Sequence, residues 1–287
     1  MSVIIQSLSV KPTEALMALS IYRFLTVKQF VKLGIGASEA SVRKNILPKL
    51  HRSRKPLAKK RKLGRTLPDV HYLTEHGVKY LAQVYKLPVE AFPYPKGQVQ
   101  FGEMFARHRF AQIDFHIGFR QWADSLDDVE ILFTDMDFDI IGSRRQGTFT
   151  KKTEIRLPND ATPIVPDGIF GVNINGEPRI YILEVHRKTE TKAVSEQLKR
   201  YIDVLETGAV AEKYGLEVSP LICSVHMKDN VLRGVKVSLL KTQDFELFKG
   251  AFLFNSVDDL TSELAKGWSL ADDQLVLPFS RLISQTS

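Results

Sequence analysis

The stretch PDGIFGVNINGEPRIYILEVHRK, residues 166–188, decides how the chain folds. Its centre, Asn175-Gly176, is a favoured hairpin pair, because both central positions of that turn need positive φ. The flanks IFGV and IYIL are rich in aromatic and β-branched residues, so they read as two antiparallel strands. Asp167 stands just before the first strand and Glu184 just after the apolar run of the second. Folding back at 175–176 brings these carboxylates to near-opposite positions. Asp167 has a second reading, since Pro-Asp-Gly is also ordinary turn chemistry. Glu184 is harder to place that way: a glutamate ending an apolar strand is poorly solvated unless paired or bound to a cation. Two carboxylates on neighbouring strands offer hard oxygen ligands to Mg²⁺, which can activate water and stabilise a phosphate in transit.

Working outward, a helix is expected over about 190–206. It sets Gln197 and Tyr201 four apart on one face. Val194, Leu198, Tyr201 and Leu205 also form an apolar stripe there, so a core role for Tyr201 competes. His186 keeps three readings open: metal ligand, proton shuttle or satisfied surface group. As a ligand, imidazole suits Mn²⁺ better than Mg²⁺. Lys188 reads as charge stabiliser or surface lysine, and Glu190 as the acid that favours a helix N-terminus. PLICSVHM (220–227) and GVKVSLL (234–240) read as further strands, and SVDDLTSELAKG (256–267) as a helix capped by Ser256. Upstream, 101–125 is strongly helical and carries His108 and Asp114 among aromatics; a core histidine is the default there, with a site-facing role open. VEILFTDMDFDII (129–141) ends as an alternating strand. Its Asp135, Asp137 and Asp139 make either a solvated face or a source of one ligand. Residues 151–157 read as another strand, 142–152 as a mobile loop, and the tail ISQTS as disordered. The element order predicts an α+β fold with an α/β, three-layer core.

The first third of the chain is different. Residues 1–95 hold 17 Lys/Arg against 5 Asp/Glu, and the remainder 23 against 28, within a net charge of +7. Such asymmetry points to a polyanion-binding half. Leu16, Met17, Leu19, Ile21 and Phe24 fall at helical spacing. Thr26 caps a second short helix that stops at Gly34, and Ser38 caps a third that Pro48 kinks or ends. A strand, a basic tip around Gly64, the return strand DVHYL and a helix capped by Thr74 follow. Three helices, a hairpin and a helix is the order of a winged helix-turn-helix. Arg43, Lys44, Lys49, Arg52 and Arg54 cluster on or beyond the third helix, and Lys59, Lys60, Arg61, Lys62 and Arg65 load the hairpin. These ten are the expected DNA contacts; a solvated charged face is the plainer alternative. KLPVEAFPYPKGQVQ (86–100) has three prolines and little periodicity. The expected organisation is therefore 1–88 winged helix, 89–100 linker and 101–280 second domain.

With 287 residues, 44% hydrophobic and 25% charged, the chain can bury a sizeable core unaided. Its one cysteine, Cys223, excludes an internal disulfide and suits a reducing cytosol. The opening MSVIIQSLSVKPTEAL has no basic start before a long apolar run, so no signal peptide is expected. No segment has the apolar length that spans a bilayer, so neither membrane insertion nor a location outside the cytoplasm is expected.

Pro166-Asp167, a turn, then Glu184-Val185-His186 resembles the PD-(D/E)xK nuclease superfamily, in one branch of which a Gln and Tyr spaced like Gln197 and Tyr201 recur. The standard lysine two residues after the glutamate is replaced here by His186. More narrowly, HYLTEHGVKYL, RHRFAQIDFHIGF and PDGIF…LEVHRKTE…QLKRY resemble the plasmid replication-relaxation family, which includes MobC-type relaxases. That likeness runs through about residues 12–206. It implies a restriction-endonuclease-like domain that nicks origin DNA with Mg²⁺ or Mn²⁺, metal ligands Asp167 and Glu184, and catalytic support from His186, Lys188, Gln197 and Tyr201, with His108 and Glu190 as additional site candidates. Plasmid origin DNA, accessory mobilisation or coupling proteins and a second copy of the chain are the implied partners. A non-catalytic DNA-binding regulator with a degenerate nuclease fold is the alternative, and a nuclease for another nucleic acid the third.

Overall fold

Asn175 and Gly176 take φ of +54° and +89°, and the chain reverses there as the hairpin signal requires. They belong to a computed structural model that describes residues 8–95, 103–142, 149–158, 162–187 and 189–279. The chain divides into two compact units, Met1–Ile113 and Asp114–Ser287.

In the first unit, α1 (Val10–Tyr22) precedes the two-residue β1 (Leu25–Thr26) and α2 (Val27–Lys32). Thr26 makes a full capping box: its Oγ1 accepts from the Gln29 amide at 3.3 Å and its own amide donates to Gln29 Oε1 at 3.0 Å. Ser38 caps α3 (Glu39–Ser41) by accepting from the Ser41 amide at 3.2 Å. Pro48 neither ends nor breaks the segment. The chain passes through a π turn (Val42–Ile46) into α4 (Leu47–His51), and the Leu47 amide donates to Val42 O, five residues back. Pro48 has no amide to give and its ring crowds the preceding turn, so the widened register just ahead of it absorbs the misfit.

β2 (Ala58–Arg61) and β3 (Val70–Leu73) pair antiparallel, giving the sheet order β1-β3-β2. The expected basic tip is thereby spread out. Lys59, Lys60 and Arg61 lie on β2 itself, and only Lys62 and Arg65 lie in the connecting loop. Thr74 caps α5 (Glu75–Tyr85), accepting from the Gly77 amide at 3.2 Å. A Cβ at Gly77 would meet Leu57 O at 2.2 Å, so only glycine admits this close approach. Leu16, Leu19, Phe30, Leu50, Val70, Leu73 and Leu81 are fully buried and form the core of the unit.

The helix α6 (Glu103–Asp124) contains the boundary between the units. Beyond it come β4 (Val129–Met136), the small pair β5 (Ile140–Ile141) and β6 (Thr150–Lys151), then β7 (Gly168–Ile174) and β8 (Glu177–His186). α7 (Thr191–Thr207) and α8 (Ala209–Tyr214) lead to β9 (Leu221–His226), α9 (Asp229–Leu239), the short α10 (Phe245–Phe248), β10 (Phe252–Ser256) and α11 (Val257–Ser262). Ser256 caps α11 through the Asp259 amide at 3.0 Å. The five-stranded sheet runs β10-β9-β8-β7-β4, antiparallel from β4 to β8 and parallel from β8 to β10.

Period-two alternation sends successive residues of β8 to opposite faces. Ile180 and Ile182 join Val194, Leu198 and Tyr201 of α7 and Val231, Val235 and Leu239 of α9. On the other face, Phe170 and Tyr181 meet Phe115, Phe119 and Phe279, with ring centroids 4.8 Å apart for Phe119–Phe170 and 4.9 Å for Tyr181–Phe279. The result is a mixed α+β fold whose sheet is covered on both faces.

Three strand expectations fail, in whole or in part. GVKVSLL (234–240) lies largely in α9, and the strand that follows β9 is β10. Parallel neighbours need a crossover of a dozen residues or more, usually a helix. Val231, Val235 and Leu239, four apart, give that helix its buried face. Residues 151–157 form no continuous strand: Lys151 ends β6, and Ile155 makes an isolated bridge to Ile164. Similarly 129–141 is interrupted after Met136, where the Met136 amide donates to Asp139 Oδ2 at 3.3 Å. Residues 143–148 of the expected loop, 96–100 of the expected linker, the ISQTS tail and Lys188 lie outside the described residues.

Candidate metal centre and nucleic-acid interface

The register of the β7–β8 hairpin sets the site. Gly168 pairs with Leu183, and the Asp167 amide donates to Leu183 O at 3.0 Å, so Asp167 comes opposite Glu184. Directly opposed residues of an antiparallel pair share a face. Pro-Asp-Gly here enters a strand instead of forming a turn. A Cβ at Gly168 would lie 2.7 Å from the Phe170 ring and 3.1 Å from Met136 Sδ, which accounts for the glycine. On the other side of β7, Met136 pairs with Gly168 and the Asp137 amide donates to Asp167 O at 3.1 Å. Asp137, Asp167 and Glu184 therefore occupy successive places in one cross-strand row, which continues to Ser224 on β9.

The helix α7 closes over this row. Gln197 Nε2 donates to Glu184 Oε2 at 2.8 Å and the Tyr201 hydroxyl donates to Glu184 Oε1. The core and site readings of Tyr201 thus coincide: the ring packs with Val194 and Leu198 while the hydroxyl holds the carboxylate. Asp167 Oδ2 accepts from the Val185 amide at 2.7 Å. Both acids are buried, Asp167 at 8% and Glu184 at 3% exposure.

Burial pushes the Glu184 carboxyl well above its ordinary value. Asp167 and, more weakly, Asp137 push the same way, against the hydrogen bonds from Tyr201 and Gln197. Burial also raises the Tyr201 phenol far above its usual range, and the neighbouring Glu184 charge adds to this. A phenol so held is a poor nucleophile and a good hydrogen-bond donor.

His186 follows Glu184 on the same face and pairs with His226 of β9, the ring centroids 4.8 Å apart. His226 Nε2 lies 2.9 Å from Ser224 Oγ. Burial, and then Lys236, hold the His226 imidazole down at about 3. Lys236 is itself buried, 2.6 Å from Asp273 Oδ1 and 2.7 Å from Ser269 Oγ. The sequence reading has Asp135, Asp137 and Asp139 alike as a source of one ligand, and the register singles out Asp137; the same reading missed Ser224, His226 and Lys236. One signal was present: YILEVH and LICSVH are both apolar strands that end in Val-His. Glu190 is the exposed N-cap residue of α7. His108 lies on α6 in the first unit, its Nε2 2.9 Å from Gln112 Nε2.

Among the described residues no group of three or more His, Cys, Asp or Glu side chains is arranged to hold a metal ion. The groups that could hold one are the Asp167 and Glu184 carboxylates. Their hard oxygens fit Mg²⁺ or Mn²⁺, which commonly take one or two carboxylates and complete their shell with water and phosphate. Glu184 would give up its proton on binding.

In the first unit, Arg43, Lys44, Lys49, Arg52, Arg54, Lys59, Lys60, Lys62 and Arg65 are all exposed and Arg61 is half-buried. Two of these make ion pairs at 3.0 Å, Arg43 with Glu39 and Lys60 with Asp69. Beneath them His51 Nε2 and His71 Nδ1 lie 3.3 Å apart with the rings stacked, joining the end of α4 to β3. No local sequence signal marks the pair, because 20 residues separate its members.

Among the described residues no helix is long and apolar enough to cross a membrane. Comparison with known protein families, with curated proteins and with solved structures gives no match for this chain.

Proposed function

We propose that the chain is a metal-dependent, site-specific DNA-nicking relaxase of the plasmid replication-relaxation type, acting at an origin of transfer or replication. The observation that carries this reading is Asp167 opposite Glu184, with Gln197 and Tyr201 of α7 both bonded to the Glu184 carboxylate. The order α6-β4-β7-β8-α7-β9 supports a restriction-endonuclease-like domain over about 101–280. In the first unit, α1, α2, the helical segment 39–51 and the β2–β3 hairpin support a winged helix over 1–88, whose basic side chains bind duplex DNA. Origin DNA, accessory mobilisation proteins and a second copy of the chain are its partners in this reading.

Asp167 and Glu184 supply oxygen ligands. The bound cation would contribute Lewis-acid stabilisation of the phosphate and an activated water. Tyr201 and Gln197 fix the orientation of the Glu184 carboxylate. Deprotonation of Glu184 accompanies loading, so activity rises with pH on the acidic side. A supercoiled plasmid carrying the DNA that flanks the gene should become open-circular with Mg²⁺ or Mn²⁺. Asp167→Ala or Glu184→Ala should reduce the rate by a factor of about 100 or more, the scale of losing a metal ligand's transition-state stabilisation. Nicking retained in both variants overturns the cation assignment.

A second reading is favoured by the burial of both acids, the raised Glu184 carboxyl and His186 in the lysine position. It is a non-catalytic regulator of plasmid replication or mobilisation whose nuclease-like fold has become a satisfied polar core. Tight DNA binding with no cleavage under any divalent metal selects it.

A further inference from the structure

A groove of about 600 Å³ opens in the first unit, lined by the start of α1 and by the helical segment 39–51. Lys11 comes from α1 and Lys49 from α4. Ser41, Asn45 and Lys49, each four residues from the next, line it from the helical segment, across the π turn. Ser9 and Gly34 line it too. Gly34 takes φ +69°, and nothing lies within 4 Å of where its Cβ would stand, so the main chain there is open to close approach. Among the described residues no Asp or Glu lines the groove.

The two lysines are held by weak partners. Lys11 Nζ reaches Gly34 O at 3.2 Å and the exposed Glu14 at 2.8 Å, and Lys49 Nζ reaches Ser9 Oγ at 3.4 Å. Exposed pairs of this kind exchange readily for a stronger anion. Because Lys11, Asn45 and Lys49 are exposed, a small free anion would share them with water. A polyanion instead gains at each lysine by releasing condensed counterions.

We propose that this groove seats one phosphodiester strand of duplex DNA, with Lys11 and Lys49 each meeting a phosphate and Asn45 hydrogen-bonding the same strand. The assignment rests on reading the first unit as a DNA-binding module. To the contacts already expected of Lys49, its basic neighbours and the hairpin it adds Lys11 of α1 and Asn45, on the groove side of the helical segment. Asn45 carries both a donor and an acceptor, the combination that reads adenine when a base edge comes within reach.

The test is fluorescence anisotropy of a labelled mixed-sequence duplex with the full chain, at KCl from about 50 to 200 mM. Lys11→Gln/Lys49→Gln should weaken binding at low salt about tenfold. It should also flatten the slope of log affinity against log salt by about 1.8, at 0.9 per phosphate. Asn45→Ala should weaken binding without changing the slope. Far-UV circular dichroism checks that the variants are folded. An unchanged affinity and slope in the double lysine variant, beside a weakened Lys59→Gln/Lys62→Gln hairpin variant, overturns the groove but leaves the DNA-binding module standing. No duplex binding by the wild-type chain at about 50 mM KCl overturns the module itself. Displacement of the duplex by millimolar inorganic phosphate at constant ionic strength assigns the groove to a small anion, and overturns the strand.

Discussion

At Glu184 a carboxyl is kept in a dry place, while the proposed role asks the same group to be charged and hold a cation. Tyr201 and Gln197 ease the conflict by donating to both oxygens. The folded carboxyl is raised above its unfolded value of 4.5, so its contribution to stability is complete below that pH and fades as pH rises through the folded value. Glu184→Gln should therefore flatten the fall of stability as pH rises above 4.5, as read by urea unfolding at several pH values. Tyr201→Phe keeps the ring and removes one donor from a buried acceptor. It should cost about 1–2 kcal/mol and leave the fold intact. An unchanged urea midpoint would mean that the hydroxyl does not hold the carboxylate.

At the scale of elements, close approach and pairing decide more than propensity. Alanine forms helix better than glycine by about 1 kcal/mol, yet Gly77→Ala should destabilise the protein by about 2 kcal/mol or more, because the new Cβ meets the Leu57 carbonyl of the backbone. Thermal unfolding followed by circular dichroism measures the balance, and a rise in Tm would refute the contact. The His51–His71 pair fastens α4 to β3. Burial, then the neighbouring His51, hold the His71 imidazole at about 3, with Lys60 and Arg43 also lowering it and Asp69 opposing them; burial and Lys60 lower His51. A lowered histidine stabilises the fold above its unfolded value of 6.5. That stability is lost as pH falls from 6.5 toward 3, by up to about 1.4 kcal/mol per pH unit for His71, and His51 acts in the same direction. His71→Asn should remove most of this acid sensitivity from the first unit, as judged by circular dichroism melts at pH values between those limits.

For the molecule as a whole, the placing of the tryptophans gives each of the two units its own signal. Both tryptophans, Trp122 and Trp268, belong to the second unit and are buried there. Tryptophan fluorescence should follow that unit alone, while far-UV circular dichroism follows both. Gly77→Ala should then shift part of the circular dichroism transition and leave the tryptophan transition in place, while Tyr201→Phe should shift the tryptophan transition and leave the first unit's part of the circular dichroism change in place. Coincident shifts in both probes would mean that the units unfold together.

The hairpin at 166–188, the Thr26, Ser38, Thr74 and Ser256 caps and the Asp167–Glu184 opposition were legible, because turn chemistry, capping and period-two alternation act between residues close in the chain. The basic character of the first unit needed only counting. GVKVSLL was misread since an apolar segment rich in β-branched residues satisfies either period, and only the parallel pairing of β9 with β10 made a helix necessary there. Which of Asp135, Asp137 and Asp139 joins the row, the place of His226 and the His51–His71 pair could not be found from the chain alone. Their meaning lies in register and burial between segments that only folding brings together. The sequence by itself determined which residues carry charge, turns and caps. The tertiary structure alone decided that Asp137 joins the row of Asp167 and Glu184, that the Tyr201 phenol holds Glu184 and how far from water the acids stand, because desolvation and cross-strand contact do not exist until the sheet has formed.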